Sequence, residues 1–203
     1  MQLRTTIIDD KVQKSELLDD RVCECCQTDA VVAQGEAVVI YRDRSDTEIR
    51  DISVTALGRE PKSIFADQWK IEGCPVNGPS MDVMGETFVA AWYTAPENNP
   101  AVYVAFSEIP IKISDSILGR VDVLVVGKNK ATVCWIEPNG ETASVMLIDV
   151  FKDGTIENKR TVAKVSPSRS SSFPRLAKVN GGILVAWTDL DREDGISTNF
   201  FPN

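Results

Sequence analysis

The sequence predicts an all-β fold: an antiparallel β-propeller of about four blades, or part of a larger ring. Three observations carry this. Aromatic residues inside short apolar strands recur at Tyr41, Trp92, Trp135 and Trp187, at spacings of 51, 43 and 52 residues. A period of about 40 to 50 residues built from short strands is the mark of propeller blades. Gly35, Gly85, Gly127 and Gly181 precede those aromatics by six to eight residues, and helical periodicity is nearly absent.

Each unit then reads the same way. Before each glycine stands an apolar first strand: "AVVAQ", "SMDVM", "VDVLVV" and "PRLAKV". The aromatic marks the second strand. A third is centred near Ile52, Val104, Leu147 and Thr198, and a more polar fourth follows in three units as "SIFADQWKI", "IPIKIS" and "TIENKRTVAKV". Alternating, β-branched segments between Gly, Asp and Asn turns are half-buried antiparallel strands. One such sheet cannot bury both faces alone, so blades stack about an axis. The ring on the second strand fills the gap between neighbours, and burying it contributes roughly 2–3 kcal/mol.

The ends cut through blades. "LRTTIIDDKVQKSELLDD" aligns with "LIDVFKDGTIENKRTVAKV" at an offset of 144, as third and fourth strands without a first or second. The last unit ends after its third strand. The expectation is one domain over 1–203, in pieces near 1–20, 21–72, 73–118, 119–166 and 167–203. An N-terminal strand completing the last blade is favoured over a longer ring or a homo-oligomer that shares one, because unpaired edges invite aggregation.

A net charge of −8 and a pI near 4.7, without a Lys/Arg cluster, argue against nucleic acid and anionic membranes. Apolar runs such as Val121–Val126 are too short to span a bilayer as a helix. "MQLRTTIIDD" holds no apolar signal segment, so the chain reads as cytoplasmic or as a piece of an exported protein. It contains no histidine, which removes imidazole bases and ligands.

The strings "RVCECCQTDAVV", "VIYRDRSDTEIRDISV", "WKIEGCPVNGP", "VAAWYTA", "GRVDV" and "FPRLAKVNGGILVAWTD" resemble the later blades of bacterial sialidase-like (exo-alpha-sialidase, BNR/Asp-box) proteins, from about Arg21 to Asp189. The resemblance implies a secreted or periplasmic propeller of about six blades, of which this chain is a part or a shortened version. It also implies Asp boxes between third and fourth strands. Here the comparable segment, "SEIPIK" from Ser107, is degenerate, and "KDGTI" keeps only the turn.

Sialidases hold a substrate carboxylate with three arginines and attack with a tyrosine–glutamate pair, beside an aspartate acid/base. A guanidinium fork matches a carboxylate, and a tyrosine needs a base to become a nucleophile. Arg120 and Arg175 stand seven and six residues before their glycines, which places them as equivalents near one mouth of the channel. Thr28 and Gly78 hold that place elsewhere, so a third arginine would be Arg21 or Arg42. Glu137 and Asp189 end their second strands and are expected to line the channel. Ion pairing of these arginines with blade-end acids is the competing role. Tyr41 sits at the packing position and Tyr93 points to the opposite face, so no nucleophile or acid/base is assigned. The charged hairpin "YRDRSDTEIRD" (Tyr41–Asp51) reads as a solvated turn with cross-strand pairs, Arg42 or Arg44 on a polar ligand being the other reading.

Cys134 lies inside an apolar strand and reads as a small buried residue. Cys23, Cys25, Cys26 and Cys74 gather before the first strands of consecutive units. Three readings stand: disulfides, with a bridge from one of the first three to Cys74 as the simplest; a Zn or Cu(I) thiolate site, without the usual Cys-x-x-Cys knuckle; or free thiols. The expected ligand is a glycan or small anion at the channel mouth, and no cofactor is expected. Function then divides between a sialidase-like glycan-recognition module with glycosidase ancestry, a non-catalytic interaction scaffold, and a thiolate metal protein.

Overall fold

The computed structural model describes residues 1–106, 109–171 and 173–202. It is an all-β propeller built from five antiparallel sheets. A two-stranded sheet pairs β1 (Leu3–Thr5) with β2 (Glu16–Asp19). The first blade runs β3 (Asp29–Ala33), β4 (Glu36–Arg42), β5 (Ile52–Ala56), β6 (Lys62–Phe65). The second runs β7 (Ser80–Met84), β8 (Thr87–Thr94), β9 (Ala101–Ala105), β10 (Ile111–Ser114). The third, with the longest strands, runs β11 (Gly119–Gly127), β12 (Lys130–Asn139), β13 (Thr142–Phe151), β14 (Ile156–Val165). The last has three strands, β15 (Arg175–Val179), β16 (Gly182–Thr188) and β17 (Ile196–Pro202). The degenerate Asp-box position at Ser107 and Glu108 lies outside the described residues.

Two-residue hairpins join the first two strands of each blade. In the first, Gln34 and Gly35 both have positive φ, +52° and +81°, as the right-handed strand twist demands. The third blade differs. Gly127 is still in the strand, opposite Lys130, and the turn is Lys128–Asn129.

The apolar cores are the seams between blades. Ile40 and Ile52 of the first blade meet Met81, Ala90 and Trp92 of the second. Val89, Val102 and Val104 of the second meet Val121, Val133 and Trp135 of the third. Cys134, Ile136 and Leu147 of the third meet Val185 and Trp187 of the last. Each aromatic thus packs back onto the preceding blade. Tyr41 obeys the same rule: its hydroxyl donates to Asp19 of β2 at 2.6 Å, which explains a phenol where the other blades have indoles.

The inner edge is closed by side chains. Asp29, Ser80, Asp122 and Arg175 hold one repeat position, each opposite the residue before the aromatic or at the alanine equivalent, as their partners Ile40, Ala91, Cys134 and Ala186 show. Asp29 Oδ2 accepts the Met81 N–H at 2.9 Å, Asp82 Oδ2 the Val125 N–H at 2.7 Å, and Asp122 Oδ2 the Leu176 N–H at 2.7 Å. Ser80 Oγ donates to Asp122 Oδ1 at 2.8 Å and lies 3.0 Å from Asp29 Oδ2. An edge N–H without a ladder partner is thereby satisfied from the neighbouring blade.

The N-terminal strands do not complete the last blade. Among the described residues β1 pairs with β2, and β17 pairs with β16. The Val22 N–H donates to the Met1 carbonyl and Tyr41 holds Asp19, so this hairpin is tied to the first blade instead.

Asp122→Ala removes the acceptor of a buried N–H, a hydroxyl and a guanidinium together. The expected loss is about 3 kcal/mol of unfolding free energy with an unchanged denaturant slope, measured by urea titration at pH 7.

Candidate functional site

The two cysteine-bearing strings meet at one end of the seam between the first and second blades. Cys25 and Cys74 form a disulfide spanning 49 residues. Two residues on, Gln27 clamps Gly78: its Nε2 donates to the Gly78 carbonyl at 3.2 Å, and the Gly78 N–H donates to its Oε1 at 2.9 Å. A Cβ at position 78 would collide with the Gln27 carbonyl, so glycine is required there.

Asn77 carries the seam on to the third blade. Its Oδ1 accepts the Arg120 N–H at 2.8 Å and its Nδ2 donates to the Leu118 carbonyl at 3.1 Å. This grip sits on a bulge at the start of β11, where Gly119 and Arg120 both have positive φ (+93° and +59°). For arginine that conformation costs about 1–2 kcal/mol, and it directs the side chain into a cleft of about 290 Å³. Asn77, Tyr93, Leu118, Arg120, Pro167 and Arg169 are among its lining residues.

Arg120 is 7% exposed, its Nη1 is buried without a hydrogen-bond partner, and its guanidinium lies 5.4 Å over Phe173. Burial, with the like charge of Arg169, lowers its affinity for the proton. Among the described residues no carboxylate lines the cleft. A buried cation beside a second cation, without a counter-charge among the described lining residues, makes the local potential positive.

Arg42 lies behind this cleft, fully enclosed. It donates to the carbonyls of Asn77 at 3.0 Å, Arg50 at 2.6 Å and Tyr93, and stacks 4.8 Å over Trp69. Each of its three nitrogens donates to a backbone carbonyl, so it organises the site rather than reaching a ligand. Arg21 pairs with Asp46 at 2.9 Å and Glu48 at 3.1 Å. Arg44 pairs with Glu24 and Glu48, and Arg50 with Glu48 at 2.7 Å. Glu48 is thus shared by three arginines, and the hydrogen bonds from Arg44 and Arg50 hold its carboxyl at about 2.

Arg120 and Arg175 are not equivalents. Because Gly127 belongs to the strand and not the turn, counting back from the glycines misaligns the third blade. Arg175 aligns with Asp122, two residues further on, and bonds it at 2.9 Å. Glu137 and Asp189 do not line the cleft. Glu137 bonds Lys159 at 3.2 Å within its own blade, and Asp189 accepts the Ser197 hydroxyl at 2.6 Å in the β16–β17 turn.

The sulfurs cluster beside this frame. Cys23 Sγ lies 2.9 Å from Cys26 Sγ, 3.7 Å from Cys25 Sγ and 3.2 Å from Arg50 Nη1. Cys23 and Cys26 are a Cys-x-x-Cys pair, a spacing overlooked in the sequence because Cys25 interrupts it. In this structure Cys25 and Cys74 are joined, while the sulfurs of Cys23, Cys25 and Cys26, three of the four in the expected thiolate set, lie within 4.8 Å of one another. Cys134 is buried in the third seam, where burial pushes its thiol up.

The residues passed over by sequence reasoning are Asn77, Arg169 and the carboxylate pair Asp51 and Asp67. Asp51 accepts Gln68 Nε2 at 3.2 Å and the Trp69 N–H at 3.3 Å. Burial and the neighbouring Asp67 raise its carboxyl to about 6. The string "GCPVNGP" contained the signal for Asn77: an amide before a glycine that faces another chain segment.

No family model matches the chain, and no curated protein matches it. Solved structures do. A chain of the nidogen/laminin complex superposes with a TM-score of 0.54 at 15% identity, over 93% of this chain and 66% of that one. The subtype N11 neuraminidase-like protein of A/flat-faced bat/Peru/033/2010 (H18N11) gives 0.53 at 12%, over 89% and 52%. A thermostable family-43 glycoside hydrolase gives 0.51 at 8%, over 86% and 70%. The likeness is one of fold. The present chain spans from about half to seven tenths of the length of these three structures.

The Asp51 carboxyl sets a pH dependence. Its folded value lies above the usual unfolded value of about 3.9, so the native state binds more protons between the two, and stability falls as pH rises through about 4 to 6. Urea midpoints of wild type and Asp51→Asn across this range measure it. The wild-type decline is expected to be the steeper.

Proposed function

We propose that the chain is a sialidase-like recognition propeller that binds a small anionic carbohydrate through its carboxylate, in the cleft between the second and third blades. The unpartnered, buried Arg120 guanidinium carries this reading. A carboxylate entering the cleft would accept from Arg120 Nη1, meet the second charge of Arg169, and find Tyr93 and Asn77 along the wall. A planar guanidinium is the donor best matched to such a group. The positive-φ bulge is consistent with a functional role, since the guanidinium it presents, stacked over Phe173, keeps Nη1 without an acceptor.

Recognition suits the cleft better than hydrolysis. Glycosidases work with paired carboxylates, or with a tyrosine activated by a glutamate. Tyr93 lines the cleft, but none of the described lining residues is an acid. The glycoside hydrolases and the neuraminidase-like protein among the fold neighbours support a carbohydrate ligand on this scaffold.

Calorimetric titration with N-acetylneuraminic acid and with the neutral N-acetylglucosamine tests the reading. Saturable binding of the acid alone is expected. Arg120→Met should weaken it by about 30-fold, the equivalent of one charge-assisted hydrogen bond of about 2 kcal/mol, without lowering the melting temperature. Equal binding of both sugars, binding of neither, or an unaffected Arg120→Met variant would contradict it. Release of methylumbelliferone from its sialoside would overturn the non-catalytic half.

A further inference from the structure

The cysteine cluster has no part in the cleft, and it sets a thiol within 3.7 Å of a disulfide sulfur. We infer that Cys23 is the nucleophile of an internal thiol–disulfide relay, which moves the bridge from the surface pair Cys25–Cys74 to the interior pair Cys23–Cys26. This inference stands independently of the carbohydrate reading.

Four observations carry it. Cys23 Sγ is 3.7 Å from Cys25 Sγ, one of the two sulfurs of the disulfide. On its other side, 2.9 Å away, is Cys26 Sγ, in contact with it and needing only to close to about 2.05 Å for a bond to form. Arg50 Nη1 sits 3.2 Å from Cys23 Sγ and is itself fixed by Glu48 at 2.7 Å, so a positive charge faces the attacking sulfur. Burial differs between the pairs: Cys23 and Cys26 are buried, whereas Cys74 is exposed at a surface groove with Glu24, Arg44 and Glu72.

The chemistry balances within the chain. The Cys23 thiolate attacks Cys25 Sγ; the Cys25–Cys74 bond breaks, and Cys74 leaves as a thiolate into water. Cys26 then loses its proton and attacks Cys23 Sγ; the Cys23–Cys25 bond breaks, and Cys25 leaves as a thiolate. The proton from Cys26 passes to one of the released sulfurs. One pair is oxidised by two electrons and the other reduced by two, with no outside reagent. Exchange of this kind runs through the thiolate and favours a leaving group that is solvated. The Cys26 S–H and the Arg50 guanidinium hold the Cys23 thiol well below the usual range, while the Cys23 sulfur and burial push Cys26 up, so Cys23 is the more readily ionised of the two. Cys134, sealed in another seam, serves as the internal control.

The test is trapping on the intact chain. Oxidised protein carrying only the Cys25–Cys74 bridge is held under native conditions at pH 8 with N-ethylmaleimide, acid-quenched at intervals and mapped by mass spectrometry. Label should accumulate on Cys74 and Cys25, and the Cys23–Cys26 peptide should lose the mass of two hydrogens. Cys26→Ser should stop after the first step, with Cys74 labelled and Cys23 bonded to Cys25. Cys23→Ser should abolish Cys74 labelling. A wild-type bridge that stays on Cys25–Cys74 throughout, with Cys74 unlabelled, overturns the inference. So does labelling of Cys74 in Cys23→Ser at the wild-type rate. The wild-type and Cys26→Ser maps decide the matter even should Cys23→Ser fail to fold.

Discussion

A carboxylate on the inner strand of one blade accepts the edge N–H of the next, and the rest of the structure depends on this handover. Asp29 holds Met81, Asp82 holds Val125, and Asp122 holds Leu176. A propeller blade offers its neighbour an apolar face and a bare strand edge. The face is met by the aromatic of the following blade, but dispersion and burial are non-directional and fix neither rotation nor height. The side-chain-to-amide bonds supply that register, because each acceptor must meet one particular N–H. Ser80 joins two of the acids into a continuous chain, with Arg175 on the last.

With the blades held at this height, loops before the first strands converge on one end. There the disulfide, the Gln27–Gly78 clamp and the Asn77 amide bind the first three blades into a frame. The frame's stability comes from groups that meet partners: Arg42 with its three carbonyls, and Glu48 with its three arginines. Against that background two places stand out. Arg120 has a donor without an acceptor, and Cys23 Sγ lies 3.7 Å from a sulfur of the disulfide. Both lie on the fixed frame, where geometry is held and not averaged.

Much of the fold was legible because propeller blades repeat their instructions. Trp92, Trp135 and Trp187 could be placed in the seams from spacing alone, and Tyr41 followed them. The inner-strand position was misread through one residue. Gly127 resembles the turn glycines of the other units but lies in the strand, so Arg120 was set where Asp122 belongs. The closing of the ring was misread for a different reason: a short strand does not declare its partner, and β1 found β2. The candidate site was less legible still. Whether an arginine is engaged or idle depends on long-range contacts, as Arg42 and Arg120 show with opposite outcomes. The proximity of Cys23 to Cys25 and Cys26 depends on a loop conformation that no periodicity encodes.

The account rests on the amides of Met81, Val125 and Leu176 being bonded across the blade seams. Native-state hydrogen exchange, resolved to single amides, reads this directly. If the inner carboxylates carry the register, these three edge amides exchange only through global unfolding and share the protection of the central-strand amides beside them. Exchange at the rate of exposed turn amides such as Asp153 would contradict the account, since the blades would then be held by their apolar faces alone.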